Sequence, residues 1–164
     1  MKKLSVVFTL LLFMSCSQEK LFVEDFVAEA FHQAIALEKI EDISDLLDRD
    51  TIYVFPQNIS LLKDNKNIYK TSMLIPSHVD KWKLKLITKT DLDGFIKTNQ
   101  IPYLNLSIKE KEDKIIIELE KAFEYSEKDK GMVTETNGIK IIFKKTSYPK
   151  ILEIGKTRIM YTVD

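Results

Sequence analysis

Apolar residues fall at helical spacing in the first third of the chain and in alternation over much of the rest. From Leu21, the positions Val23, Phe26, Val27, Ala30, Phe31, Ala34 and Leu37 recur three and four apart, with Glu24, Asp25, Glu29 and Gln33 between them. This spacing predicts an amphipathic helix of about four turns, with acids at the start where the helix dipole favours them. Ile40, Ile43, Leu46 and Leu47 continue the spacing. Either the helix bends near Glu41, or a second short helix begins there with Asp42 as its cap. Thr51–Phe55 is β-branched and aromatic and reads as a strand ended by Pro56. Residues 56–80 are irregular, with turn signals at Asn58, Asp64, Asn65 and Asn67, and a short strand predicted over Ser72–Ile75.

Clearer alternation follows. Trp82, Leu84 and Leu86 interleave with Lys81, Lys83 and Lys85, which predicts a half-buried strand with a lysine face in water. Thr90-Asp91-Leu92-Asp93 has the capping pattern of a threonine followed three residues later by an acid. Leu92, Phe95 and Ile96 then form the buried side of a short helix ending near Thr98. Beyond Pro102 the sequence predicts an antiparallel meander. Leu104, Leu106 and Ile108 point inward, then a turn at Lys111–Lys114, then Ile115, Ile117, Leu119 and Phe123. A charged turn at Glu127–Gly131 returns through Val133. Asn137-Gly138 marks a turn or bulge before Ile139, Ile141 and Phe143. Tyr148-Pro149 breaks the pattern, Ile151–Ile154 is a short strand, and Gly155-Lys156 turns into Arg158–Val163. The expected fold class is α+β: an N-terminal amphipathic helix or helices packed on a curved, mostly antiparallel meander sheet.

That element order resembles the nuclear-transport-factor-2-like cone and, less closely, the cystatin-type wrap of a sheet around one helix. The first resemblance implies a pocket between the helices and the concave face of the sheet, used by some members for catalysis and by many for binding. In isomerase-type members a carboxylate and a tyrosine transfer protons there. Tyr53, Tyr103 and Tyr125 are the tyrosines that could converge, yet a buried tyrosine more often serves packing with one satisfied hydroxyl.

Ahead of the helix stands a different pattern. Lys2 and Lys3 precede an apolar run from Leu4 to Met14, interrupted by Ser5 and Thr9, and Ser17, Gln18, Glu19 and Lys20 follow soon after. A bilayer-spanning helix needs about 20 apolar residues, so this run fits the core of a secretory signal. Phe13 suits ordinary signal peptidase poorly. The tetrapeptide Phe13-Met14-Ser15-Cys16 instead resembles the lipobox of bacterial lipoproteins, with Phe where leucine is commonest. The resemblance implies cleavage before Cys16, a diacylglyceryl thioether on its sulfur and acylation, palmitate included, of the new amine. Residues 1–15 are then a cleaved signal, 16–20 a short tether, and 21–164 a single domain. The expected partner is a lipid bilayer, reached through acyl chains on Cys16, and the expected location is an extracytoplasmic membrane surface, cell membrane or outer membrane. Two acyl chains anchor stably where one does not.

Charge narrows the function classes. Without Lys2 and Lys3 the chain carries 23 basic and 25 acidic side chains, so no strongly basic field holds nucleic acid and no polybasic run adds to membrane attraction. Cys16 is the only cysteine, and its lipidation leaves stability to an apolar core.

No residues form a persuasive catalytic or metal constellation, and no cofactor is implied. His32 and His78 are far apart and lie outside metal-ligand spacing. Ser77-His78-Val79-Asp80 offers a hydroxyl, an imidazole and a carboxylate, but sequence neighbours seldom make a triad. Asp91-x-Asp93-Gly94 matches part of a calcium loop; with Gly94 sixth, however, Lys89 falls first and Gln100 twelfth. Asn58-Ile59-Ser60 and Asn105-Leu106-Ser107 fit the glycosylation pattern, which a bacterial lipoprotein gives no reason to use. The leading expectation is therefore a non-enzymatic lipoprotein domain binding an envelope protein or small ligand. A ligand carrier or enzyme with a cone pocket, and a structural subunit of an envelope complex, stand as alternatives.

Overall fold

The computed structural model describes residues 23–61, 74–122 and 133–162. Helix α1 spans Val23–Phe31, and its apolar residues Val23, Phe26, Val27, Ala30 and Phe31 are all buried. The 3.6-residue period thus sets its inner stripe. A wider, π-helical turn, His32–Ala36, follows and buries Ala34 and Ile35. The chain then turns sharply, with positive φ at Glu38 (48°) and Asp42 (54°), into helix α2, Ser44–Leu47. A second short helix therefore exists, but its N-cap is Ile43, and no side chain caps it.

The strands are β1 (Thr51–Ser60), β2 (His78–Val79), β3 (Trp82–Leu86), β4 (Tyr103–Glu110), β5 (Lys114–Ala122), β6 (Val133–Lys144) and β7 (Lys150–Thr162). They form one curled, half-barrel sheet in the order β2-β3-β1-β4-β5-β6-β7. The protein is a strand-dominated α+β fold. β4 to β7 make the expected antiparallel meander. The mixed character arises at β1, which lies between β3 and β4 and runs parallel to both.

Parallel neighbours require crossovers. The β3-to-β4 crossover carries helix α3, Lys89–Asp91, which continues as a π-helical turn over Leu92–Ile96. It covers one sheet face: Leu92, Ile96, Ile101 and Tyr103 form a small cluster with Tyr53 and Phe55 packed on it. The alternate residues of the same strands point the other way. Ile52, Val54, Leu104, Leu106, Ile117, Ile141 and others share one large buried cluster with α1 residues. At its heart the Phe26 and Phe143 rings meet edge to face at 5.4 Å.

Several local expectations give way to the sheet. Pro56 does not end β1. Pairing with β3 stops at Val54, and a register shift with β4 falls between Pro56 and Asn58, so the missing N–H sits at a bulge on the unpaired side. The cap of the crossover helix is Thr88, not Thr90. The Thr88 hydroxyl accepts from the Asp91 amide, while the Asp91 carboxylate accepts from the Thr88 amide at 2.7 Å. Phe95 is about half exposed and not part of the buried side.

Asn137-Gly138 is neither turn nor bulge; it sits in the middle of β6. A Cβ on Gly138 would lie 2.5 Å from both the Leu119 carbonyl oxygen and the Thr157 Oγ1. Close approach of neighbouring strands explains this glycine. Gly155-Lys156 likewise lies within β7, which is one strand where two were expected. Leu74 and Ile75 are not in a strand, and Ser72, Phe123 and the turn at Glu127–Gly131 lie outside the described residues.

Candidate functional site

The sharp turn after α1 delivers acids onto cations of the meander. Lys156 and Arg158 are two apart on β7 and so share a face. Glu41 spans them, with Oε1 2.5 Å from the Lys156 Nζ and Oε2 3.3 Å from the Arg158 Nη2. Lys121 on β5 pairs with Asp45 at 2.8 Å and donates to the Asp42 carbonyl. Asn137, opposite Arg158 across β6 and β7, donates to the Asp42 carboxylate at 3.4 Å. Hydrogen bonding to Lys156, more than any other effect, holds the Glu41 carboxyl below the usual glutamate range. A cavity of about 90 Å³ lies here, lined by Glu41, Asn137, Gly138, Lys156, Thr157 and Arg158. Metabolite pockets run to roughly 300–1,000 Å³. This one accommodates a small ion or a few waters.

The opposite sheet face carries a second polar group. Glu118 lies 3.6 Å from both Lys109 and Lys140. Glu120, two residues on, is half buried against Gly138, and burial, with the Glu118 charge adding to it, pushes its carboxyl above the usual range. It therefore holds its proton more tightly than a solvated glutamate. The neighbouring Thr157 hydroxyl is buried and has no hydrogen-bond partner among the described residues.

Two further surface features stand out. β7 is thirteen residues long and, among the described residues, pairs with β6 alone. Leu152 and Ile154 on it are 48% and 40% exposed, and Tyr148 just before it is 64% exposed. The far edge, by contrast, is the two-residue β2. At the hairpin end of the sheet, Lys114 stands opposite Lys144 and Lys144 opposite Lys150. Three lysines thus form one row across β5, β6 and β7.

Those residues singled out in the sequence that the structure describes do not converge. Among the described residues His78 reaches only its neighbour Ser77, Nδ1 to Oγ 3.2 Å, and is exposed, as is Asp80. His32 is exposed at the turn after α1. Asp91 is engaged in the capping box, with Gly94 inside the helical turn, so the calcium-loop likeness has a local cause. Tyr53 packs against Phe95 at 6.0 Å, and Tyr103 belongs to the same small cluster. Tyr125 and Cys16 lie outside the described residues. Among the described residues no group of three or more His, Cys, Asp or Glu side chains is placed to hold a metal ion, and no helix is long and apolar enough to cross a membrane. Sequence reading missed the Glu41 clamp and the lysine row, since both depend on pairings between distant segments.

No protein-family model matches the sequence, and neither a curated protein nor a solved structure is significantly similar to it.

Proposed function

We propose that this chain is a lipid-anchored lipoprotein of the bacterial cell envelope whose domain is a non-enzymatic binding module, and that β7 is the strand to which its protein partner adds. The anchor reading rests on the charged start, the short apolar run and the Phe13-Met14-Ser15-Cys16 lipobox. α1 lies along the inner face of the sheet, where a cone-type pocket would open. Leu104, Leu106, Ile117 and Ile141 are buried on that face in one cluster with α1 residues, which favours binding at the rim over binding within.

The observation that carries the reading is β7 itself. Long edge strands with exposed apolar side chains are normally blunted, because they template pairing with another chain. β7 keeps Leu152 and Ile154 exposed on a thirteen-residue edge. An extended segment of an envelope protein would gain main-chain hydrogen bonds there and side-chain specificity from alternate positions.

The test is site-specific photocrosslinking in intact cells. Probes at Leu152 and Ile154 should give one discrete adduct that a probe at exposed Asp48 does not, and Ile154→Lys should remove the adduct formed from position 152. Equal adducts from Asp48, or none from β7, would sink the reading. The anchor has its own check: Cys16→Ser should abolish lipid labelling and release the protein from membranes.

A further inference from the structure

Lys114, Lys144 and Lys150 face each other in register across three adjacent strands. Like charges directly opposite on a sheet destabilise it. Among the described residues none of the three has an ion-pair partner, whereas their neighbours Lys109 and Lys145 are paired with Glu118 and Glu110. Nothing among the described residues therefore explains the row. The two hairpin ends that carry it are joined, the Lys145 amide donating to the Asp113 carbonyl at 2.8 Å. Exposed Lys111 and exposed Tyr148 stand at the same end.

This end of the sheet is also where α1 begins. Phe26, in the first turns of α1, meets Phe143, the residue before Lys144. The chain beyond α1 reaches Lys121 and Arg158 at the opposite end. The chain thus enters the fold at its lysine-rich end. Cys16 lies seven residues before Val23, a span of at most about 25 Å when extended.

We propose that this end docks on the anionic bilayer that holds Cys16, with the lysine row against headgroup phosphates and Tyr148 at the interface. The proposal rests on the lipid-anchor reading above. Each lysine near an anionic surface contributes about fivefold to partitioning (about 1 kcal/mol), and an aromatic ring with a polar tip suits the headgroup layer. The acids at this end are Glu110, which is paired with Lys145, Glu112 and Asp113 on the β4–β5 tip, Glu24 and Asp25 in the first turn of α1, and exposed Glu153 on β7, opposite Ile142. No run of basic residues in the sequence marks this surface, because hairpin register assembles it from separate turns.

The test uses the full chain, matured in a bacterial host and reconstituted in lipid nanodiscs. With the only native cysteine acylated, a label at Ser147→Cys reports the hairpin end and one at Asp48→Cys the opposite end. In discs containing phosphatidylglycerol, the label at 147 should be shielded from a water-soluble quencher and the label at 48 should not. The shielding should disappear in phosphatidylcholine discs. Replacing Lys114, Lys144 and Lys150 together by Gln should lower the docked-to-undocked ratio about 100-fold, without lowering the urea midpoint. Equal quenching at the two positions, shielding that survives the triple replacement, or a lowered midpoint overturns the docking proposal. The mass of the Cys16 peptide, read on the same sample, separates the two readings. Missing acyl groups overturn the anchor and the docking with it, whereas an acylated but freely quenched protein overturns the docking alone.

Discussion

Lys145 closes over Glu110 at the hairpin end, its Nζ 2.6 Å from a carboxylate whose side chain is wholly enclosed. The contact ties the β4–β5 hairpin to the β6–β7 connection. Removing Lys145 takes one partner from an enclosed carboxylate that has a further contact, which costs about 1–3 kcal/mol. Lys145→Ala should lose stability on that scale in urea unfolding, and the double replacement Glu110→Met/Lys145→Met should recover most of it. A single-variant loss below about 1 kcal/mol would place the pair among ordinary surface bridges.

Gly138 has no space for a side chain. A methyl there would meet the Leu119 carbonyl oxygen and the Thr157 hydroxyl at 2.5 Å, and the Glu120 Cγ at 2.8 Å. Because backbone is among the obstacles, the strands must part, and Gly138→Ala should destabilise by about 1–3 kcal/mol. Gly155→Ala, where nothing lies within 4 Å, is the control and should be nearly neutral. Similar denaturation midpoints for the two variants would refute the crowding argument.

Glu120 has a carboxyl raised first by burial and then by Glu118. A folded-state pKa above the unfolded one means that folding takes up a proton, so this group adds stability as pH falls. Its contribution is complete below the unfolded glutamate pKa and is lost as pH rises through the folded value. Glu120→Gln should therefore be more stable than the parent at neutral pH, and the difference should vanish in acid. Urea midpoints across the pH range test the sign; a difference that grows in acid contradicts it.

Glu41 behaves in the opposite sense. Its carboxyl is lowered chiefly by the Lys156 hydrogen bond, so its contribution is present above the unfolded glutamate pKa and fades as pH falls through the folded value. Protection factors against hydrogen exchange at residues 38–45, taken relative to the intrinsic rate at each pH, should therefore fall in acid, and Glu41→Gln should show the lower protection already at neutral pH. Unchanged exchange in the variant would mean that Lys121, through Asp45 and the Asp42 carbonyl, holds the turn alone.

Alternation made the inward side of β4, β5 and β6 legible, because Leu104, Ile117 and Ile141 each sit where period two places them. The helical stripe from Val23 to Phe31 was legible for the same reason. The place of β1 was not. Its partners Lys83 and Tyr103 are tens of residues away, and no periodicity encodes which strands become neighbours. Pro56, Asn137-Gly138 and Gly155 misled because local turn chemistry yields when strands on either side fill the space or supply the pairing. The candidate sites share that limit. Glu41 with Lys156, and Lys114 with Lys144 and Lys150, meet only through register, and neither pattern exists before the sheet does.

The position of β1 between β3 and β4 also orders events in time. β4 to β7 can assemble through successive hairpins, each closing a modest loop. β1 gains its longer partner only once β4 is present, and β3 is held in the sheet through β1 and the two-residue β2. Long-range parallel pairing of this kind closes late and slowly. The N-terminal half must therefore remain without its core until the meander is complete, so the fold should lock in a single late step that begins at the carboxyl-terminal side of the chain.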